Sequence, residues 1–347
     1  MSTAADVAIV TALIEERDAV LRHIPDAQLL EKGESDVHAY YVGSIRTTRS
    51  DRATYRIVLT SLGAMGPVKS ALRASETVRR FRPRAVLMVG IAGGVSGEVA
   101  LGDVVVATQV VDYTLGKVEA DGRKIRWHSY PADTRLRDSA ASMTNAWTAR
   151  VKVDRPEPGD PKLNFGVVAS GGDVIATAAR LAEYRKAWPQ LVGVEMEGGG
   201  VAAALHDEPT RPGFLMTRGI SDLADEHKNT EATKRWRKYA CDVAGAFAVA
   251  LLEAGPYPAN PTSKGTEADR KKRLIERLLS ELSLDELETL IRLGFPEIPD
   301  GLSGIVSPVH NFRYRVMHVI AYFERRRMLD VLEAKLDEML DELRGNA

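Results

Sequence analysis

"LVGVEMEGGG", Leu191 to Gly200, is an unbroken apolar run that ends at two carboxylates and passes without a linker into three glycines. It reads as a buried strand giving way directly to the first turn of a helix, the junction from which α/β folds are built. The same design recurs outward along the chain. "DVAIVTAL" (Asp6–Leu13) leads into the polar, helix-favouring "IEERDAVLRHI". "YRIVLTSLG" (Tyr55–Gly63) leads into "PVKSALRASETVRRF", where Pro67 marks a helix start. "AVLMVGIAGG", "GDVVVATQVVDYT", "FGVVASGG" and "GFLMTRGISD" are further short apolar runs, typically ended by Gly or Asp. Runs apolar on both faces belong to central strands covered by helices on each side. Strands alternating with helices down to a last helix at Thr233–Ala254 predict one α/β domain. The Pro-rich, charged stretch Arg150–Asn164 is expected to be a surface loop within it.

Composition sets the outer limits. The 347 residues carry 47 Lys and Arg against 48 Asp and Glu, with 44% apolar residues, enough for one large domain and a small one. So balanced a charge argues against a chain built to coat nucleic acid or an anionic membrane, and neither partner is expected. The single cysteine, Cys241, excludes an internal disulfide framework and is expected to be a buried structural thiol. Its apolar surroundings are too short to span a bilayer, and the first residues lack the basic start of a signal peptide, so a cytoplasmic location is expected. Residues 255–268, rich in Pro, Gly and small polar residues, read as a linker between an α/β domain at 1–254 and an all-helical domain at 269–347. In the latter, "SLDE" (Ser283–Glu286) has the form of a capping box. His310 and His318, eight residues apart, fit poorly as metal ligands on one helical face, and no metal or cofactor is expected anywhere.

Four patches fall at predicted strand ends, where open α/β sheets bind ligands. They are "TALIEE", "VGIAGG", "VEMEGGG" and "TRGISDLAD" (Thr217–Asp225). Singly, each has an ordinary reading as a solvated surface, a tight turn or a helix cap. Together, in this order, they resemble the nucleoside phosphorylase/nucleosidase superfamily, most closely its methylthioadenosine/adenosylhomocysteine nucleosidase branch, over Asp6 to Glu253. The resemblance implies a central mixed β-sheet flanked by helices and cleavage of the bond between a purine and ribose. Asp222 would be the general acid that protonates the departing base, oriented by Ser221. Glu197 would grip the ribose hydroxyls as the sugar becomes cationic, over Met196 as a polarizable floor, with Glu195 nearer the base edge. Glu16, rather than its neighbour Glu15, would activate the attacking water, with Arg218 close to it or held in an ion pair with one of the glutamates. Ile91, Ala92 and Gly93 of the glycine turn would line the substrate. Val174 and Ile175 stand where the family commonly stacks an aromatic on the purine; Trp127 or Tyr130 could supply one instead. Asp225 would be structural.

A departure from the family pattern narrows the reaction. Its phosphorylases hold phosphate with an Arg and a Ser where this chain has Met88 and Ile91, an apolar pair unsuited to a dianion. Water is then the expected nucleophile, with a phosphorylase or a catalytically inactive nucleoside sensor as the alternatives. Arg126 and His128 of "RWHSYP" could face a 5′ phosphate, so the substrate class stays purine nucleoside or nucleotide. The resemblance also implies a homodimer or larger assembly. The helical domain resembles the death-like, effector-associated adaptor modules of bacterial conflict systems, which implies a protein partner bearing a matching module and an effector role in defence or stress. A plain dimerisation bundle is the alternative.

Overall fold

A computed structural model of the chain describes residues 4–31, 37–50, 53–63, 66–120, 122–173, 175, 178–224, 231–258, 267–326 and 328–345. The chain divides into two compact units, Met1–Ser263 and Lys264–Ala347. In the first, the strands are β1 (Val7–Thr11), β2 (Gln28–Leu29), β3 (Tyr41–Arg46), β4 (Thr54–Ser61), β5 (Ala85–Gly94), β6 (Val104–Asp112), β7 (Gly116–Glu119), β8 (Gly122–Ile125), β9 (His128–Pro131), β10 (Leu163–Ser170), β11 (Leu191–Glu195) and β12 (Gly213–Asp222). The helices are α1 (Ile14–Leu21), α2 (Pro67–Phe81), α3 (Thr134–Ala141), α4 (Ala178–Ala187), α5 (Gly198–Asp207) and α6 (Glu231–Glu253).

The main sheet runs β11-β10-β6-β12-β5-β1-β4-β3-β2, with β9 added on β6, and β11 also pairs with β5. The second pairing closes β5, β12, β6, β10 and β11 into a ring. The sheet is mixed: β1 is parallel to β4 and β5, and β5 to β12, while β11–β5 and β12–β6 are antiparallel. This is the mixed, helix-flanked sheet that the resemblance implies.

Alternation along each strand explains the doubly apolar runs. Val7, Ile9, Leu87, Val89 and Leu215 pack on one face with Val243, Phe247 and Leu251 of α6 and Val20 of α1. Ala8, Val10, Val86, Met88 and Met216 pack on the other with Ala74 and Val78 of α2 and Val201 and Leu205 of α5. Central strands are therefore dry on both sides. Cys241 is buried within α6.

The second unit holds α7 (Glu267–Glu281), α8 (Leu284–Gly294), α9 (Phe312–Arg325) and α10 (Leu329–Gly345) around its own core. Leu274, Leu278, Leu287, Ile291, Phe295, Ile320, Phe323, Leu332 and Leu336 form it, with the Phe295 and Phe323 rings 4.5 Å apart. Ser283 caps α8 in a capping box with Glu286. His310, in the bend before α9, and His318 within it both lie against the Tyr314 ring, at 4.1 and 4.4 Å between centroids. Among the described residues no helix is long and apolar enough to cross a membrane.

Candidate active site

The carboxyl end of β5 is where the four sequence patches converge. Gly93 stands opposite Asp222 of β12 on one side and Val194 of β11 on the other. Gly90 stands opposite Arg218. β1, paired to Ala85–Met88 of β5 on the same edge that β11 takes further on, delivers the turn that starts α1.

Glu16 lies in the first turn of α1 and folds back over the end of its own strand. Its Oε2 accepts from the N–H groups of Ala12 and Leu13, each at 2.8 Å, and its Oε1 accepts from the N–H of Ile91 at 2.8 Å. Glu16 is buried, whereas Glu15 points outward and is bound by Arg237. Burial pushes the Glu16 carboxyl up, against the opposing pull of Arg218 and the three N–H donors.

Arg218 is the largest fully buried side chain, 1% exposed. Its Nη2 donates to Glu195 Oε2 at 2.5 Å and approaches Met88 Sδ at 3.3 Å. Its Nη1 and Nε have no hydrogen-bond partner among the described residues. Nη1 and Glu16 Oε1 each lie 2.3 Å from the place a Cβ on Gly90 would occupy, so they are at most twice that distance apart. A hydrogen in place of a side chain at Gly90 leaves a slot between a buried cation and a buried carboxylate, of a size that one water would bridge. Met88, fully buried with its sulfur toward Arg218, borders this slot and offers an anion no charged partner.

Glu197 precedes the first helical residue of α5. Its Oε1 accepts from Gly66 N at 3.3 Å, and Ser70 Oγ donates to its carbonyl at 3.1 Å. Burial, then the like charge of Glu195, push its carboxyl up to about 7, against Arg218 and the Gly66 N–H. Glu195 accepts from the N–H groups of Glu197 and Gly198 and from Arg218. Met196 between them is half-buried. The glycines that follow answer to close packing. A Cβ at Gly200 would stand 2.0 Å from the Pro67 carbonyl at the start of α2, and one at Gly199 would lie 3.2 Å from Ser170 Oγ, which accepts the Gly199 N–H.

Asp222 ends β12, where the register against β5 shifts between Ile220 and Asp222. The bulge leaves Ser221 unopposed and turns the next side chain, a device common beside active sites. Asp222 Oδ2 accepts from Ser221 Oγ at 2.9 Å and Oδ1 from Ala224 N at 3.0 Å. Ser221 Oγ also lies 3.4 Å from the Ala92 carbonyl. Ile175 packs with Val95, Tyr113, Tyr184 and Ala224. Val174 and Asp225 lie outside the described residues. Trp127 belongs to the same aromatic group, against Tyr184 at 5.3 Å and Trp188 at 6.1 Å, while Tyr130 turns to His206 of α5. Arg126 and His128 are exposed.

Sequence reasoning missed three contributors: Tyr113, whose hydroxyl donates to the Asp173 carbonyl at 2.9 Å; the Gly66 N–H; and Gly90. Only "SGG" hinted at the first, since a Cβ at Gly171 would stand 2.3 Å from the Tyr113 ring. Three buried carboxyl groups thus share one buried guanidinium, and a cation bound or forming among them would favour their ionised forms.

Comparison with known proteins places this geometry. The profile of the phosphorylase superfamily matches residues 6–253. A 5′-methylthioadenosine/S-adenosylhomocysteine nucleosidase of Anoxybacillus flavithermus is 28% identical over 246 residues, 68% of this chain and 93% of that protein. One from Desulfotalea psychrophila is 26% identical, over 65% of this chain and 87% of that protein. Among solved structures, the Neisseria meningitidis nucleosidase bound to methylthio-immucillin-A superposes with a TM-score of 0.56 at 23% identity, covering 72% of this chain and 98% of that one. The futalosine hydrolase of Helicobacter pylori gives 0.55 at 20% identity, covering 71% and 97%. At these identities the structures share the fold with this chain.

Proposed function

The chain belongs to the phosphorylase superfamily, and from that premise we propose that its first unit hydrolyses the N-glycosidic bond of a purine nucleoside or nucleotide. The observation that carries this reading is the set of buried carboxyl groups around Arg218, with Asp222 four residues further along the same strand, opposite Gly93. Breaking the bond develops positive charge on the ribose and negative charge on the base, and rate comes only from contacts that strengthen as those charges appear. Asp222, held by Ser221, gives its proton to the base, so that a neutral purine leaves. Glu197 accepts from the ribose hydroxyls and stabilises the cationic sugar above Met196. A water in the slot beside Gly90 loses a proton to Glu16 and attacks the anomeric carbon, while Arg218 Nη1 orients it.

Water rather than phosphate is the nucleophile because the apolar Met88 and Ile91 stand where a phosphate site needs basic and hydroxyl side chains, and the Ile91 N–H is already bound to Glu16. The hydrolytic assignment draws on the named activity of the sequence relatives. Since the fold neighbours include hydrolases named for different substrates, the 5′ substituent is left open between thioether, hydroxyl and phosphate. Self-association fits the exposed Val68 and Leu72 on α2, whose start abuts Glu197. The second unit, with a core of its own, is assigned to recruitment by a partner carrying a like module, which would make the enzyme a cytoplasmic effector that depletes a purine when recruited.

Chromatographic measurement of adenine, guanine and hypoxanthine release from a panel of nucleosides and nucleotides, with and without phosphate, tests the reading. Release independent of phosphate and lost in Asp222→Asn is expected. Release only with phosphate would make the chain a phosphorylase. No release from wild type and variant alike would make it a sensor.

A further inference from the structure

We propose that Glu195 is a positioning residue: it holds Nη2 of Arg218 so that Nη1 faces Glu16 across Gly90, and it touches no substrate. The proposal rests on the hydrolytic reading above for its kinetic consequence, though its geometry stands apart from it.

The side chain of Glu195 is 3% exposed and both its oxygens accept from groups inside the protein. Oε1 accepts from Gly198 N at 3.0 Å; Oε2 accepts from Gly198 N at 2.9 Å, Glu197 N at 3.2 Å and Arg218 Nη2 at 2.5 Å. Three donors converge here in four contacts, the Gly198 N–H being shared between both oxygens. Gly198 makes the arrangement possible, since a Cβ there would stand 2.9 Å from Oε1 and 2.7 Å from Met216 Sδ. A guanidinium is a rigid planar fork, so fixing one arm fixes the others. Met88 Sδ, a weak acceptor 3.3 Å from the same Nη2, does not compete for Nη1. What remains is an unpartnered, buried Nη1 beside Glu16 Oε1. The first acid of the "VEME" stretch thereby serves the arginine, and the second is left free for a ligand.

The test is a double-mutant cycle on base release with Glu195→Gln, Arg218→Gln and both together, each checked by thermal melting. If Glu195 acts through Arg218, each single change lowers kcat on the order of a hundredfold, as for an ångström of misplacement, with KM within about threefold. The double variant is then no slower than Arg218→Gln alone, within about threefold. Losses that multiply, or a raised KM at unchanged kcat, overturn the proposal. Glu195→Asp, which keeps the charge but shortens the reach, serves if Glu195→Gln does not fold, and is expected to lower kcat while KM stays within about threefold. Nitrogen-15 spectra of the unliganded protein give a second readout. Arg218 should show separate Nη1 and Nη2 signals that merge in Glu195→Gln; equal signals in both proteins would refute the placement. A wild type that releases no base would sink the hydrolytic reading alone, because the spectra decide the role of Glu195 without turnover.

Discussion

Gly90→Ala is the smallest change that reaches the centre of the site without touching a charged group. The added methyl carbon would lie 2.3 Å from Arg218 Nη1, 2.3 Å from Glu16 Oε1 and 2.6 Å from Glu16 Cδ. Ordinary contacts begin near 3.4 Å, so one or both charged groups must retreat by about 1 Å. Neither has slack: Glu16 is tied to three N–H groups and Arg218 to Glu195. Overpacking of this kind costs about 1–3 kcal/mol of stability. A misplacement of about 1 Å costs on the order of a hundredfold in kcat, or about 2.7 kcal/mol of barrier. The assay is base release at saturating substrate, beside thermal unfolding of the same preparations. Gly93→Ala is the graded comparison, because its methyl would come only to 3.0 Å from Asp222 Oδ1 and from Ala224 Cβ, and a loss nearer tenfold is expected. A well-folded Gly90→Ala enzyme with kcat within about threefold of wild type would refute the idea that the slot holds the nucleophile.

Further outcomes are expected. Asp222→Asn should lower kcat by roughly a hundred- to ten-thousandfold with little change in melting temperature. With the Glu197 carboxyl raised to about 7, its anion fills in as pH rises, so kcat/KM should climb through about pH 7. Removing the like charge in Glu195→Gln should move that limb lower, with Arg218 and the Gly66 N–H pulling the same way and burial and Glu16 opposing; a limb unmoved by the change would show that Glu197 does not set it. Asp242 on α6 is pushed up by burial, but His23, the Lys152 N–H and Arg22 outweigh this and hold it at about 2. Its folded value lies below its unfolded one, so its stabilisation, about 2 kcal/mol, is full above about pH 4 and is lost as pH falls through 2. Acid denaturation of Asp242→Asn should lack that part of the slope. Ser283→Ala should destabilise the helical unit by about 1 kcal/mol, read from its melting in the full chain.

Much of this was legible in the residues. The doubly apolar runs of β1, β5 and β12 announce central strands because helices on both faces demand apolar side chains at every position. The edges are another matter. β3 is half exposed, β2 is two residues long, and β9 is "HSYP", with a proline that only an edge tolerates. Their pairing is decided by the strands they join. At the site, carboxylates could be read because chemistry singles them out: Glu16 and Asp222 end up on either flank of the β5 turn, as expected. The Glu195–Arg218 pair could be suspected but not chosen over Glu16 or Glu197, since it depends on a register between β11, β5 and β12. Gly90 could not be found at all. A glycine reports an absence, and what fills that absence is known only once two distant chains cross beside it.

The three N–H groups on Glu16 come from two places, the exit of β1 and the turn of β5. One carboxylate is therefore a rivet as well as the proposed reagent. A descendant of this protein that abandoned catalysis would still be penalised for losing it, so its persistence across relatives would testify to architecture as readily as to activity.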